Sequence, residues 1–206
     1  MTTDRRTALA DAAIGVLADE GMRGLTHRAV DRAADLPPGT TSAYFRTRAA
    51  LLTALVRRLV ELDQAELQLA GQDSPEPRDA DELTDAIAAL VQRRLTGDGR
   101  RRSLARYACA VESARDPELR EILVPRDNAA RDAVTRFLAA HTPEAAAADV
   151  ESRTLTLLAC VDGLVFDRLV SGGAVPREAV RGLVAGALGA ETEGSQRSQP
   201  SRRSHR

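Results

Sequence analysis

Apolar residues recur along this chain at intervals of three and four, the spacing that lines one face of a helix. Leu9, Ala12, Ala13, Val16 and Leu17 mark a first helix ahead of Gly21. Val30, Ala33 and Ala34 share one face of a short second helix that begins at His27, with Arg28, Asp31 and Arg32 directed elsewhere. A longer stripe of Leu51, Leu52, Leu55, Val56, Leu59, Leu62, Glu66 and Leu69 runs to a stop at Gly71. Past a polar, proline-containing link at 72–78, the breakers predict helices over about 79–95, 100–114, 117–140 (interrupted at Pro125), 144–170 and 176–188. Apolar and polar residues nowhere alternate as they do in a strand. The pattern predicts an all-α chain.

The stretch from Leu25 to Leu52 carries the sharpest local signals. Thr26 is a good N-cap for the helix starting at His27, and Leu25 and Val30 are spaced as a hydrophobic staple across it. Asp35-Leu36-Pro37 reads as a turn, since aspartate tolerates left-handed backbone better than most side chains. Pro38 falls at the first position of a third helix, where its missing N–H is harmless. That helix carries Thr40, Thr41 and Ser42 in succession and closes on Tyr44-Phe45, and Thr47 caps the next one. Short and poor in large side chains, it suits the groove of a DNA duplex better than a protein core.

At these residues the chain resembles the TetR family of bacterial transcriptional repressors. The resemblance rests on the Thr-capped helix, Ala34, the pair around Leu36, Gly39-Thr40, Tyr44-Phe45, the basic residue at 48 and Leu51-Leu52, and covers residues 8 to 60. Three positions depart from the family pattern. Asp35 stands where glycine is usual, Pro37 replaces a capping serine or threonine, and Ser42 stands where a phosphate-touching tyrosine is common. The resemblance implies a three-helix helix-turn-helix DNA-binding domain over 1–47 and a helical effector-binding and dimerisation domain over 48–189. By position, Thr40, Thr41 and Ser42 face base edges or phosphates, and Pro38-Gly39 lets backbone N–H groups approach the strand. Thr26, Tyr44 and Arg48 match the family's phosphate-contacting positions, and Arg28 is a further candidate.

Two late helices carry more apolar surface than one core needs. The expectation is a homodimer in which Leu157, Val161, Leu164 and Val165 join Val180, Leu183, Val184 and Ala187 in a four-helix bundle with the partner's copies. Two recognition helices related by a two-fold axis then read a near-palindromic operator in successive major grooves, about one helical turn apart. The resemblance further implies an unidentified small-molecule effector bound within the C-terminal helices. Candidate contacts there are Arg106, Tyr107, Glu112, Asn128, Arg131, Asp162 and Phe166. With only Tyr107, Phe137 and Phe166 as aromatics in this region, an aliphatic pocket with a few polar handles fits better than one that stacks large planar molecules.

Charge changes the picture only locally. The formal net charge of −1 excludes a generic polyanion binder, but residues 1–60 hold nine arginines against six acids. This surplus suits a few phosphate contacts per half-site. Every basic residue is arginine. Residues 190–206 are polar, of low complexity and basic at the end, which predicts a disordered tail. No stretch is long and uncharged enough to cross a bilayer, and MTTDRRTALA lacks the apolar core of a secretion signal. A cytoplasmic chain without membrane contact is expected. Cys109 and Cys160 read as two reduced, buried small hydrophobes. His27, His141 and His205 do not cluster with other ligands at metal-binding spacing, and no cofactor motif is present. Neither an inward Glu-x-x-His pair nor an activated nucleophile points to an enzyme. The alternative to a DNA-binding regulator is a helical protein-interaction module whose helix-turn-helix has degenerated.

Overall fold

The computed structural model of this chain describes residues 2–73, 76–123 and 129–189. Its helices are α1 (Thr2–Gly24), α2 (His27–Ala33), α3 (Thr40–Tyr44), α4 (Arg48–Asp73), α5 (Ala80–Leu95), α6 (Gly97–Ser113), α7 (Pro117–Leu123), α8 (Ala129–His141), α9 (Ala147–Ser171) and α10 (Arg177–Leu188). Among the described residues there is no strand, as the periodicity predicts. The expected tail at 190–206 and the interruption at Pro125 lie outside the described residues. Among the described residues, no helix is long and apolar enough to cross a membrane.

The local signals at the start of α2 and α4 act as expected. Thr26 Oγ1 accepts from the Ala29 N–H at 3.2 Å, and Thr47 Oγ1 accepts from Ala50 at 3.0 Å. Leu25 and Val30 are both fully buried and belong to one apolar cluster. Asp35 adopts left-handed backbone at φ 52°. Several boundaries shift. α1 continues past Gly21, whose φ of 70° interrupts its helical geometry, to Gly24. α6 starts at Gly97 rather than at Arg100. Pro38 is not the first residue of α3: Gly39, at φ 92°, occupies the N-cap, and the helix begins at Thr40. A side chain at position 39 would be strained there, because L-residues avoid that region.

Two apolar cores organise the chain. The first joins Leu9, Leu17, Leu25, Val30 and Phe45 to Leu51, Leu55 and Leu59 of α4, and then to Cys109 of α6 and Leu119 of α7. The second gathers Leu83 and Ile87 of α5, Phe137 and Leu138 of α8, Val161 and Val165 of α9, and Val180 and Val184 of α10. α6 stands between them: Ala105 and Cys109 enter the first core, while Leu104 and Tyr107 pack against the second. The first core therefore spans the expected domain boundary at 47/48.

The second core corrects the expected dimer stripe. Leu157, Val161, Val165, Val180, Val184 and Ala187 are buried within their own chain, and Leu164 and Leu183 are half-buried. α5, α8 and α10 pack on that side of α9 and use up its apolar residues. The opposite side of α9 is left largely open, although Tyr107 meets Phe166 edge-on and Arg94 pairs with Asp162 there. Leu155, Phe166 and Val170 are 47%, 52% and 75% exposed, and Ala159 lies between them on the same face. Cys160 is exposed as well, contrary to the reading of two buried thiols. It lines a groove of about 310 Å³ between α9 and α10 with Thr156, Gly182 and Gly186.

Candidate nucleic-acid interface

α3 is too short to hold itself together, since a helix nucleus is unfavourable in isolation. Its N-cap glycine offers no side chain, so its first N–H groups need acceptors from elsewhere. Asp31 of α2 provides them. Its Oδ2 accepts from the Gly39 N–H at 2.8 Å, and its Oδ1 accepts from the Thr41 N–H and the Thr41 hydroxyl, each at 2.6 Å. Asp31 is only 3% exposed, and Thr41 is fully buried. Burial pushes the Asp31 carboxyl up, but the hydrogen bonds from Thr41 and Gly39, with the nearby His27, outweigh it and hold the group below the ordinary aspartate value. One turn earlier on the same face of α2, His27 Nε2 lies 2.7 Å from the carbonyl oxygen of Phe45, just past the other end of α3.

This corrects two sequence expectations. Asp31 does not point to solvent with Arg28 and Arg32, and Ala33, expected on the inner face, is exposed. Thr41 does not face base edges: its hydroxyl is spent on Asp31 inside the protein. Thr40 is half-buried, and its hydroxyl donates to the Pro37 carbonyl at 2.6 Å. Ser42 is exposed, and its hydroxyl has no partner among the described residues. Thr26, Arg28, Pro38 and Gly39 are also exposed, whereas Tyr44 is half-buried.

Arg48 is exposed, but its guanidinium donates to two carbonyls, Met22 at 2.5 Å and Leu25 at 3.4 Å, and so ties the start of α4 to the α1–α2 junction. Sequence reasoning also missed Arg6. Its guanidinium lies 5.7 Å from the Tyr44 ring centroid and 5.3 Å from that of Phe45, within cation–π range. The acids of this region are largely neutralised. Asp11 pairs with Arg58, Asp19 with Arg101 and Glu20 with Arg32, while Asp31 is committed to α3. Arg5, Arg6, Arg23, Arg28 and Arg46 have no carboxylate partner among the described residues. The surface around α2 and α3 thus carries positive charge that is free to meet an anion.

The expected effector contacts do not converge. Arg106 and Tyr107 line one polar cavity of about 10 Å³ with Asp63, Glu66, Arg94 and Arg102. Arg106 is paired with Asp63, and Arg94 donates to Asp162 at 3.0 Å. The Tyr107 hydroxyl donates to the Asp162 carbonyl at 2.9 Å, and its ring meets Phe166 edge-on with centroids 5.2 Å apart. Glu112 lies elsewhere, in a concavity shared with Arg48 and Arg115. Arg131 pairs with Glu151 at 2.7 Å, and Asn128 lies outside the described residues.

A family model described as the tetracyclin repressor-like C-terminal domain matches residues 78–190. The HTH-type transcriptional regulator BetI of Rhizobium meliloti (strain 1021) is 27% identical over 177 residues, which span 85% of this chain and 83% of that protein. A solved TetR-family structure from Streptomyces coelicolor A3 is 27% identical with a TM-score of 0.65, over 89% of this chain and 97% of that one. The multidrug binding protein EbrR, solved with ethidium, is 27% identical with a TM-score of 0.63, over 89% of this chain and 98% of that one.

Proposed function

Because this chain belongs to the tetracyclin repressor-like (TetR) family, we propose that it is a sequence-specific DNA-binding transcriptional regulator, a homodimeric repressor that a small-molecule effector releases from its operator. BetI, one of the relatives it matches, is named as a transcriptional regulator. The observation that carries the reading is α3, which packs on α2 and leaves Ser42 and Ala43 open to solvent amid unpaired arginines. Ser42 and Arg28 then meet base edges or phosphates. Thr26, Tyr44 and the Pro38-Gly39 backbone follow the strand, and Arg48 reaches a phosphate only by giving up a carbonyl. Phosphate contacts position the domain, and base contacts select the site.

A near-palindromic operator requires two copies. The apolar side of α9 formed by Leu155, Ala159, Phe166 and Val170 is the surface that supports dimerisation, together with the small residues of the α9–α10 groove. Such a regulator works on chromosomal DNA, in the cytoplasm.

Effector action follows from the ion pairs of α4. A cavity of about 10 Å³ holds roughly one water, so any larger molecule entering beside Tyr107 must part Asp63 from Arg106 or Glu66 from Arg102. Either change moves α4, and with it the spacing of the two recognition helices. Coupling arises because the effector binds the two spacings unequally. Titrating the protein against a duplex from upstream of its own gene, at two salt concentrations, tests the reading. A specific complex survives salt that abolishes binding to a scrambled duplex, whereas equal loss of both refutes it.

A further inference from the structure

We infer that Asp31 and His27 form a two-point clamp on α2 that positions the recognition helix for its operator. The inference rests on the DNA-binding reading and adds two residues to it, neither of which touches DNA.

Among the five residues of α3 only Thr41 is buried, and that side chain is polar. Apolar anchoring is confined to the far end, where Tyr44 packs half-buried against the first core and Phe45, just past the helix, is buried in it. The N-terminal end has no such apolar anchor and is held by hydrogen bonds to α2. Asp31 takes three donors from Gly39 and Thr41 at one end, through both of its oxygens, and the backbone carbonyl of Asp31 also accepts from Leu36 at 2.9 Å within the turn. At the other end, His27 Nε2 faces the Phe45 carbonyl. Residues 27 and 31 are one helical turn apart, so a single face of α2 grips both ends of a one-turn helix. Two anchor points fix direction as well as distance, which one cap cannot do. Loss of the Asp31 anchor leaves α3 attached but free to pivot. A pivoting α3 still meets phosphates but no longer aims Ser42 at a particular base.

The test compares Asp31→Ala, Asp31→Asn, Thr41→Val and His27→Ala with the wild type, using two labelled duplexes of equal length: the region upstream of the gene and a scrambled control. The clamp predicts that Asp31→Ala weakens the upstream complex about tenfold or more while control binding, helicity and dimer mass stay unchanged. Asp31→Asn retains one acceptor oxygen and falls in between. Thr41→Val removes only the hydroxyl bond, and the Asp31→Ala/Thr41→Val double variant is no worse than Asp31→Ala alone. Should Asp31→Ala fail to fold, Thr41→Val and His27→Ala each still predict selective loss of the upstream complex. Wild-type affinity in these variants, or equal loss on both duplexes, overturns the clamp. A wild-type protein that prefers neither duplex overturns the DNA-binding reading itself, which is a separate result.

Discussion

Glu66 of α4 accepts hydrogen bonds from Arg102 of α6 and Arg93 of α5, both at 2.8 Å, so one carboxylate joins three helices. Its side chain is 19% exposed, which leaves it less screened than a surface pair. Replacement by alanine leaves two guanidiniums facing each other across the gap. The expected loss is about 1–3 kcal/mol of stability, since a partly buried charge loses its partner. Urea unfolding of Glu66→Ala checks this. A change below roughly 0.5 kcal/mol would assign the cluster no structural weight.

Ser42 and Thr41 are neighbours with opposite duties, and aspartate distinguishes them. Ser42→Asp adds negative charge on an exposed position. It should abolish operator binding with the melting temperature unchanged. Thr41→Asp places a second carboxylate against Asp31 in a closed site and should unfold the α2–α3 unit. Circular dichroism melts alongside fluorescence anisotropy separate the two outcomes. Operator binding retained by Ser42→Asp would move the recognition surface elsewhere.

The proposed dimer surface is checked by a matched pair on α9. Val170 is 75% exposed and Val165 fully buried. Val170→Asp should give folded monomers by light scattering, whereas Val165→Asp should collapse the second core, because an unpaired charge has no place there. A dimer that survives Val170→Asp means that the open side of α9 is not the interface.

Thiol chemistry follows from the same geometry. Burial, aided by Glu112 and opposed by Arg106, pushes Cys109 up to about 12, so it carries almost no thiolate at neutral pH. Iodoacetamide should leave Cys109 unmodified until the protein unfolds. Cys160 should react in the native state, and, if the proposed dimer covers its groove, faster in Val170→Asp than in wild type. Peptide mass spectrometry reads both sites. Equal labelling rates at Cys160 would place it outside the interface.

The Asp31 carboxylate gives a pH prediction with a definite sign. Its folded value is held below the ordinary one, so it stabilises the fold fully above the ordinary carboxylate value of about 3.9. That contribution disappears as pH falls through the lower, folded value. Removing the Thr41 hydroxyl raises the folded value and shrinks this window. Thr41→Val should therefore unfold at higher pH than wild type in an acid titration followed by circular dichroism. Coincident curves would deny the hydroxyl its role.

The features legible in the sequence are those decided within a few residues. Thr26 and Ala29, Thr47 and Ala50, and the left-handed Asp35 are each specified by near neighbours. The features that escaped depend on partners farther along the chain. A helix-wheel argument sends any charged residue outward, and it fails at Asp31 because the donors arrive from eight and ten residues downstream. α9 has apolar residues on two opposite sides, and periodicity detects both without telling which one meets the chain itself. α5, α8 and α10 decide that, and they cover Val161 and Val165 rather than Phe166 and Val170. The effector handles escaped for a related reason, since Arg106, Asp162 and Arg131 already have carboxylate or guanidinium mates.

α6 is a partition wall with a face in each room. A wedge driven between it and α5 would press on Ala105 and Cys109, and through them on α1, without any signal passing along α4. Arg101 of α6, joined to Asp19, adds a second tie to the same helix. Substitutions that stiffen or sever α4 alone would then blunt the response to an inducer rather than erase it.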